Sequence, residues 1–191
     1  MGEEKPVEWY NAAEKPIAKI DVWKSPYLPI YQEAAREIQK DESVLDLGSG
    51  WGKFAKVLQN QDHFPWCYLG VDFSEVNVKI AEEYLPHFDF ECRNILSPYV
   101  FSLMERFRTI VFIQTLEHIE DDLKIVGNIP KGKNVIITVP SYDSPSHVRR
   151  FPMLKDVRRR FEPFIDIKKS VVFFINKQCV FMIKGVAKGE A

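Results

Sequence analysis

The sequence predicts an α/β fold: a doubly wound, mostly parallel seven-stranded sheet that closes with a C-terminal antiparallel hairpin. Three observations predict it. From Ser43 onward, short apolar runs alternate with segments of helical periodicity, the pattern of parallel strands covered by helices on both faces. The first apolar run ends in Gly48-Ser49-Gly50-Trp51-Gly52, a turn in which glycine lets the backbone bend sharply and approach a ligand closely. The last third drops the alternation, because residues 165–174 and 178–186 are two extended runs joined by Asn176-Lys177.

The elements follow in order. Residues 1–29 read as an irregular arm, since Pro6, Pro16, Pro26 and Pro29 interrupt any long helix. The same arm carries Trp9, Tyr10, Trp23 and Tyr27, so it is expected to pack, with Tyr10, Trp23 and Tyr27 as parts of a lid. Residues 30–191 are expected to form one domain. Its first helix, 30–40, places Ile30, Ala34, Ala35 and Ile38 on one face. A strand at 43–47 leads through the glycine turn into a helix at 53–59. The second strand, 67–71, ends at Asp72, and Ser74 caps the next helix with Glu75 in its first turn. Pro86 stops that helix near Tyr84. Strands at 88–92, 109–113 and 134–139 alternate with helices at 98–107 and 120–127. A helix at 153–161, with Leu154, Val157 and Phe161 in register, precedes the hairpin.

Composition narrows the function classes. The chain has 26 basic and 27 acidic residues, a net charge of −1, so no global field pulls it toward nucleic acid or an anionic membrane. Cys67, Cys92 and Cys179 are odd in number and far apart, which disfavours a disulfide framework or a structural zinc. Each lies in an apolar run and is read as a small buried hydrophobe. There is no signal-peptide pattern and no apolar run of membrane-spanning length, so a cytoplasmic protein is expected.

Two motifs carry the chemistry. The strand Val44-Leu45-Asp46-Leu47 runs into Gly-X-Gly-X-Gly, at the edge where open α/β sheets bind nucleotides. A dinucleotide fingerprint would need glycine where Lys53 stands, and Gly52 comes one residue early. The second motif, Leu69-Gly70-Val71-Asp72-Phe73-Ser74, puts an acid at the tip of the second strand, placed to take both hydroxyls of a ribose.

Together these segments resemble the class I S-adenosylmethionine-dependent methyltransferases, a Rossmann-like family, and the resemblance runs over roughly residues 23–186. It implies S-adenosylmethionine as cofactor. It places Asp46, Gly48, Ser49 and Gly50 at the methionine part, Asp72 at the ribose and Phe73 against the adenine. It also adds Ile95 and Gln114 to the cofactor contacts. The family often has an acid after the third strand; here Asn94 stands there, and its side-chain oxygen can accept from the adenine amino group.

The acceptor side is read from Gln114-Thr115-Leu116-Glu117-His118-Ile119 and from Pro140-Ser141-Tyr142 followed by Ser146-His147-Val148-Arg149. Both resemble methyltransferases that act on small metabolites, sugars and lipid precursors. The resemblance implies methyl transfer to an oxygen or nitrogen of a small-molecule or glycan-precursor acceptor. Histidine is the natural base near neutral pH, with His147 as first candidate and His118 as second. Two alternatives stand beside this reading. One is an RNA 2′-O-methyltransferase with a metal at Glu117, His118 and His147. The other is a non-catalytic cofactor-binding subunit. Gln114 replaces the first glutamate of the metal arrangement, and an amide is a poor ligand, so no metal is expected. The basic run Lys155, Arg158, Arg159 and Arg160, with Arg149 and Arg150 upstream, is read as a solvated helix face rather than a phosphate site. With little material inserted beyond the core sheet, the acceptor pocket is expected to be shallow, or completed by a homodimer or a partner subunit.

Overall fold

Every residue of the strand that starts the sheet, β1 (Ser43–Leu47), is buried. Side chains alternate along a strand, so Leu45 and Leu47 face one side of the sheet, and Val44 and Asp46 the other. The computed structural model, which describes residues 2–12, 21–61 and 65–189, fills those two sides with separate cores.

In chain order the helices are α1 (Val7–Ala12), α2 (Leu28–Arg36), α3 (Lys53–Leu58), α4 (Glu75–Tyr84), α5 (Pro98–Met104), α6 (Asp122–Gly127) and α7 (Leu154–Phe161). Short 3₁₀ turns lie at Val22–Lys24 and Leu116–His118. The remaining strands are β2 (Cys67–Asp72), β3 (Asp89–Cys92), β4 (Thr109–Ile113), β5 (Asn134–Pro140), β6 (Ile165–Ile175) and β7 (Gln178–Ala187). Val44 shares its core with Ile30 and Ala34 of α2, Phe54 and Val57 of α3, and Val78 of α4. Leu45 and Leu47 share theirs with Leu103 of α5, Ile125 of α6 and Phe161 of α7. The sheet is therefore doubly wound.

Strand order is β3-β2-β1-β4-β5-β7-β6. The first five strands pair in parallel, and β7 runs antiparallel to both β5 and β6. The expected seven-stranded sheet and terminal hairpin are present. The order reverses between β1 and β4, and at such a switch point the loops leaving the two strands diverge and open a crevice.

The arm departs from expectation. Val7–Ala12 is helical, and Pro29 sits in the first turn of α2, where its missing N–H costs nothing, instead of interrupting it. Pro16 lies outside the described residues. The cysteines do lie in strands, but Cys92, at the end of β3, is exposed, and Cys67 and Cys179 are half-buried. An apolar neighbourhood in sequence does not bury a residue at a strand end. The basic run also differs in part. Arg160 donates to Asp122 through Nε at 2.8 Å and through a second guanidinium nitrogen at 2.5 Å, and Arg149 approaches the same carboxylate at 3.4 Å. Asp122 is fully buried, so these two arginines neutralise an interior charge.

Candidate active site

A cavity of about 330 Å³ opens where the loops after β1 and β4 diverge. Of the residues expected at a cofactor, Gly48, Gly50, Asp72, Phe73, Asn94, Ile95 and Gln114 line it, and so does His118. Gly48 has φ of +81°, and a Cβ there would come within 2.3 Å of the Thr115 methyl carbon. Gly50 also has positive φ, and its N–H donates to Asp72 Oδ2 at 2.9 Å. Asp72 Oδ1 accepts from the Ser74 N–H at 3.0 Å and from Asn77 Nδ2 at 3.1 Å. A carboxylate offers about four acceptor sites, so roughly one remains for a ligand hydroxyl. Ser74 caps α4, accepting from the Asn77 N–H at 3.2 Å.

Asn94 Oδ1 accepts from the Leu96 N–H at 2.8 Å, an Asx turn that fixes the side chain at the cavity wall. Gln114 follows β4 with φ of +55°, a left-handed conformation that a non-glycine residue holds at a cost. Its N–H donates to Thr138 Oγ1 at 3.0 Å, which ties the turn to β5.

Asp46 and Ser49 are not among the lining residues. Alternation along β1 sends Asp46 to the α2–α3 face, where it accepts from the Tyr68 hydroxyl at 2.7 Å. Burial pushes its carboxyl up to about 7. Ser49 Oγ is buried and, among the described residues, has no hydrogen-bond partner.

The arm reaches the cavity. Glu4, Lys5, Pro6 and Tyr10 line it. The Tyr10 ring meets Phe73 edge-on at 5.0 Å and His118 at 6.2 Å. The Gly2 N–H donates to the His147 carbonyl at 2.9 Å, and Glu4 accepts from the Glu120 N–H at 2.7 Å. Trp23 and Tyr27, also expected in a lid, do not line the cavity; Tyr27 bonds the Tyr142 hydroxyl at 2.7 Å.

The loops after β4 and β5 bring Glu117, His118 and His147 together, each with one potential ligand atom within 4.8 Å of the others. The two imidazoles stand 4.8 Å apart, nearly perpendicular. His118 Nδ1 donates to the Ser146 carbonyl at 2.9 Å, and His147 Nδ1 donates to the Tyr142 carbonyl at 3.1 Å. A carbonyl only accepts, so both rings carry their proton on Nδ1 and keep a lone pair on Nε2. Burial drives His118 down to about 4 and also lowers His147, so both are neutral at physiological pH. Glu117 is fully buried, which raises its carboxyl to about 8, and among the described residues neither oxygen has a hydrogen-bond partner. The two loops are clamped together. The Val148 N–H donates to the Glu117 carbonyl at 2.9 Å, and Arg149 donates to the carbonyls of Leu116, Ile119 and Glu120. Nothing in the one-dimensional sequence signalled that Glu117 would be buried; the signal lies in the packing of a second loop over it.

A crevice at a switch point, floored by glycine main chain and flanked by an acid and an aromatic, defines an α/β enzyme with a nucleoside-containing cofactor. Residues 24–167 match the methyltransferase domain family, and the chain belongs to it as a class I S-adenosylmethionine-dependent methyltransferase. No curated protein matches the sequence significantly. Among solved structures, the chain is similar to one in the complex between the Haloferax volcanii Trm112 methyltransferase activator and a putative methyltransferase, at 12% identity, TM-score 0.72 and 96% coverage of both chains. It is similar to the N-methyltransferase NodS from Bradyrhizobium japonicum WM9 in complex with S-adenosylhomocysteine, at 16% identity, TM-score 0.68 and coverage of 95% and 96%. It is also similar to magnesium protoporphyrin IX methyltransferase from Synechocystis PCC 6803 with bound S-adenosylmethionine, at 12% identity, TM-score 0.64 and coverage of 95% and 94%. The cavity suits S-adenosylmethionine: Gly48 and Gly50 leave main chain open at its floor, Asp72 keeps an acceptor site, and Phe73 and Ile95 supply apolar walls. Among the described residues no helix is long and apolar enough to cross a membrane.

Proposed function

We propose that this methyltransferase acts in the cytoplasm on an oxygen or nitrogen of a small-molecule or glycan-precursor acceptor, with His147 and His118 activating it. S-adenosylmethionine, when bound, supplies a methyl group on a positively charged sulfur, so the protein's own task is to position the acceptor and manage its proton. In this reading Asp72 takes the ribose, Asn94 and Phe73 the adenine, and Gly48, Ser49, Gly50, Ile95 and Gln114 complete the cofactor contacts. Asp46, which bonds Tyr68 across to β2 and does not line the cavity, supports the strand beneath the turn.

One observation supports the acceptor side: two neutral imidazoles with unprotonated Nε2 atoms, one of them in the cavity wall. The cavity, about 330 Å³ and lined in part by the arm, favours a compact acceptor over a nucleic acid. Capture by a partner subunit remains part of the reading, because a similar chain is found with an activator.

The test uses S-adenosylmethionine labelled on the methyl group, incubated with the protein and a fractionated cell extract. Label is expected in the low-molecular-weight or glycan-precursor fraction, and His147→Ala should lower that incorporation by about 10²-fold or more while calorimetric S-adenosylhomocysteine affinity stays within about twofold. Label confined to RNA or protein would reject the small-molecule acceptor.

A further inference from the structure

We infer that Glu117, His118 and His147 form a binding site for one divalent first-row transition cation beside the cofactor cavity, and that the cation holds an oxygen of the acceptor. The second half of this statement rests on the acceptor reading above; the first half does not.

The strongest reason is Glu117. Its carboxyl is fully buried, and among the described residues no other side chain donates to either oxygen; only its own main-chain N–H lies near. His118 presents Nε2 at 4.0 Å from Glu117 Oε1, too far for a hydrogen bond. Buried polar groups without partners are rare in folded proteins and ask for an explanation. Here Glu117 stands beside two imidazole nitrogens that carry free lone pairs, and no hydrogen bond joins any two of the three side chains. A cation satisfies all three at once.

The surroundings match those of a metal centre. Each imidazole donates Nδ1–H to a main-chain carbonyl, Ser146 for His118 and Tyr142 for His147. That second layer fixes ring orientation and leaves Nε2 as the donor atom, the arrangement that metal-binding histidines usually have. The clamp of Val148 and Arg149 onto the Leu116–Glu120 segment holds the two ligand-bearing loops in register. Ligands about 2.0–2.2 Å from one cation stand roughly 3–3.5 Å apart, so the donor atoms draw in by about an ångström on binding. Two imidazoles and one carboxylate favour zinc, cobalt or iron(II) over magnesium or calcium, which prefer all-oxygen shells. Three protein ligands leave coordination positions open, and His118 belongs to the cavity wall, so an open position borders the cleft. A hydroxyl bound there releases its proton to solvent more readily than a free one, so the two imidazoles activate the acceptor by holding the cation instead of by taking the proton themselves.

The test titrates Co²⁺ into chelator-stripped protein holding S-adenosylhomocysteine and follows the visible d–d absorption. One equivalent should bind at micromolar affinity or better, and Zn²⁺ should displace it. His147→Ala, His118→Ala and the isosteric Glu117→Gln should each weaken Co²⁺ by on the order of 100-fold, with S-adenosylhomocysteine binding by calorimetry reporting that the variant is folded. If the alanine variants fail that control, Glu117→Gln and His147→Asn decide. No absorption band in the parent protein, or a band that survives all the substitutions, overturns the site. A band lost in the variants, with chelator leaving methyl transfer intact, overturns the role in holding the acceptor and returns the proton to His147. Loss of S-adenosylhomocysteine binding in the parent protein would instead strike at the cofactor reading.

Discussion

Around β1 and β2 the cleft is made of main chain, whereas around β4 and β5 it is made of side chains. In the first region Gly48 and Gly50 present their backbones, and the one charged group, Asp72, is satisfied by three N–H donors within a few residues of the two strand ends. In the second region Glu117, His118 and His147 come from two loops, and among the described residues no side chain donates to the carboxyl of Glu117. The contrast teaches that the charge of the first region is satisfied before any ligand arrives, with the Ser49 hydroxyl left unpartnered among the described residues, while in the second region packing holds Glu117 without a side-chain donor. Loop clamps carry that load, and they are where the comparison breaks most easily.

The largest effect is expected at Asp122. It pairs with Arg160 and Arg149, so Asp122→Ala leaves two half-buried guanidinium groups without their shared counter-charge and should cost about 2–3 kcal/mol in urea unfolding. It should also loosen Arg149 and with it the histidine loops. A cost below about 1 kcal/mol would mean that solvent already serves the pair. Next comes a matched pair in the main-chain region. Gly48→Ala meets Thr115 at 2.3 Å, whereas a Cβ on Gly50 meets nothing within 4 Å. Both substitutions strain a left-handed backbone by about 1–2 kcal/mol. Only Gly48→Ala adds a steric clash, so it should be the more destabilising by about 1–2 kcal/mol. Equal melting temperatures for the two would remove the argument from close approach.

Asp46 sharpens the comparison through pH. Its carboxyl is raised to about 7 from 3.8, so the folded protein binds that proton more tightly than the unfolded chain does. Stability from this group is therefore full below pH 4 and is lost as pH climbs from about 4 to 7. Asp46→Asn keeps an acceptor for Tyr68 and carries no charge. Its stability relative to the parent should rise across that window, by on the order of 1–2 kcal/mol. A difference independent of pH would show that Asp46 is ionised in the fold. The smallest effect belongs to Gln114→Gly, which relieves a positive φ and should stabilise by about 0.5–1 kcal/mol. Destabilisation there would mean that the side-chain contact with Thr138 outweighs the strain.

The same divide explains what the sequence revealed. Glycine spacing and the acid after β2 are local features, so the main-chain half of the cleft and the alternation of strands and helices could be read directly. The direction of Asp46 could not. β1 is buried on both faces, so no polar alternation marks which side a residue takes. Helix α1 was hidden because it has six residues and no buried face of its own; it exists through contacts with the cleft. Glu117 looked like one more charged residue near a helix start. Its burial depends on Val148 and Arg149, some thirty positions on, and no local pattern carries that.

The arm bridges the two halves. Tyr10 rests on Phe73 from the β2 side and on His118 from the β4 side, while Gly2 is bonded to His147 and Glu4 to Glu120. A strap anchored on both banks makes them one compartment in time as well as in space. A nucleoside product held in the cavity has Glu4, Lys5, Pro6 and Tyr10 of the arm along its wall, and we propose that it leaves as the arm lifts. Turnover should therefore follow an ordered schedule, in which the arm's departure sets the pace of product escape and a bulky fusion ahead of Gly2 changes the rate without touching a single cofactor contact.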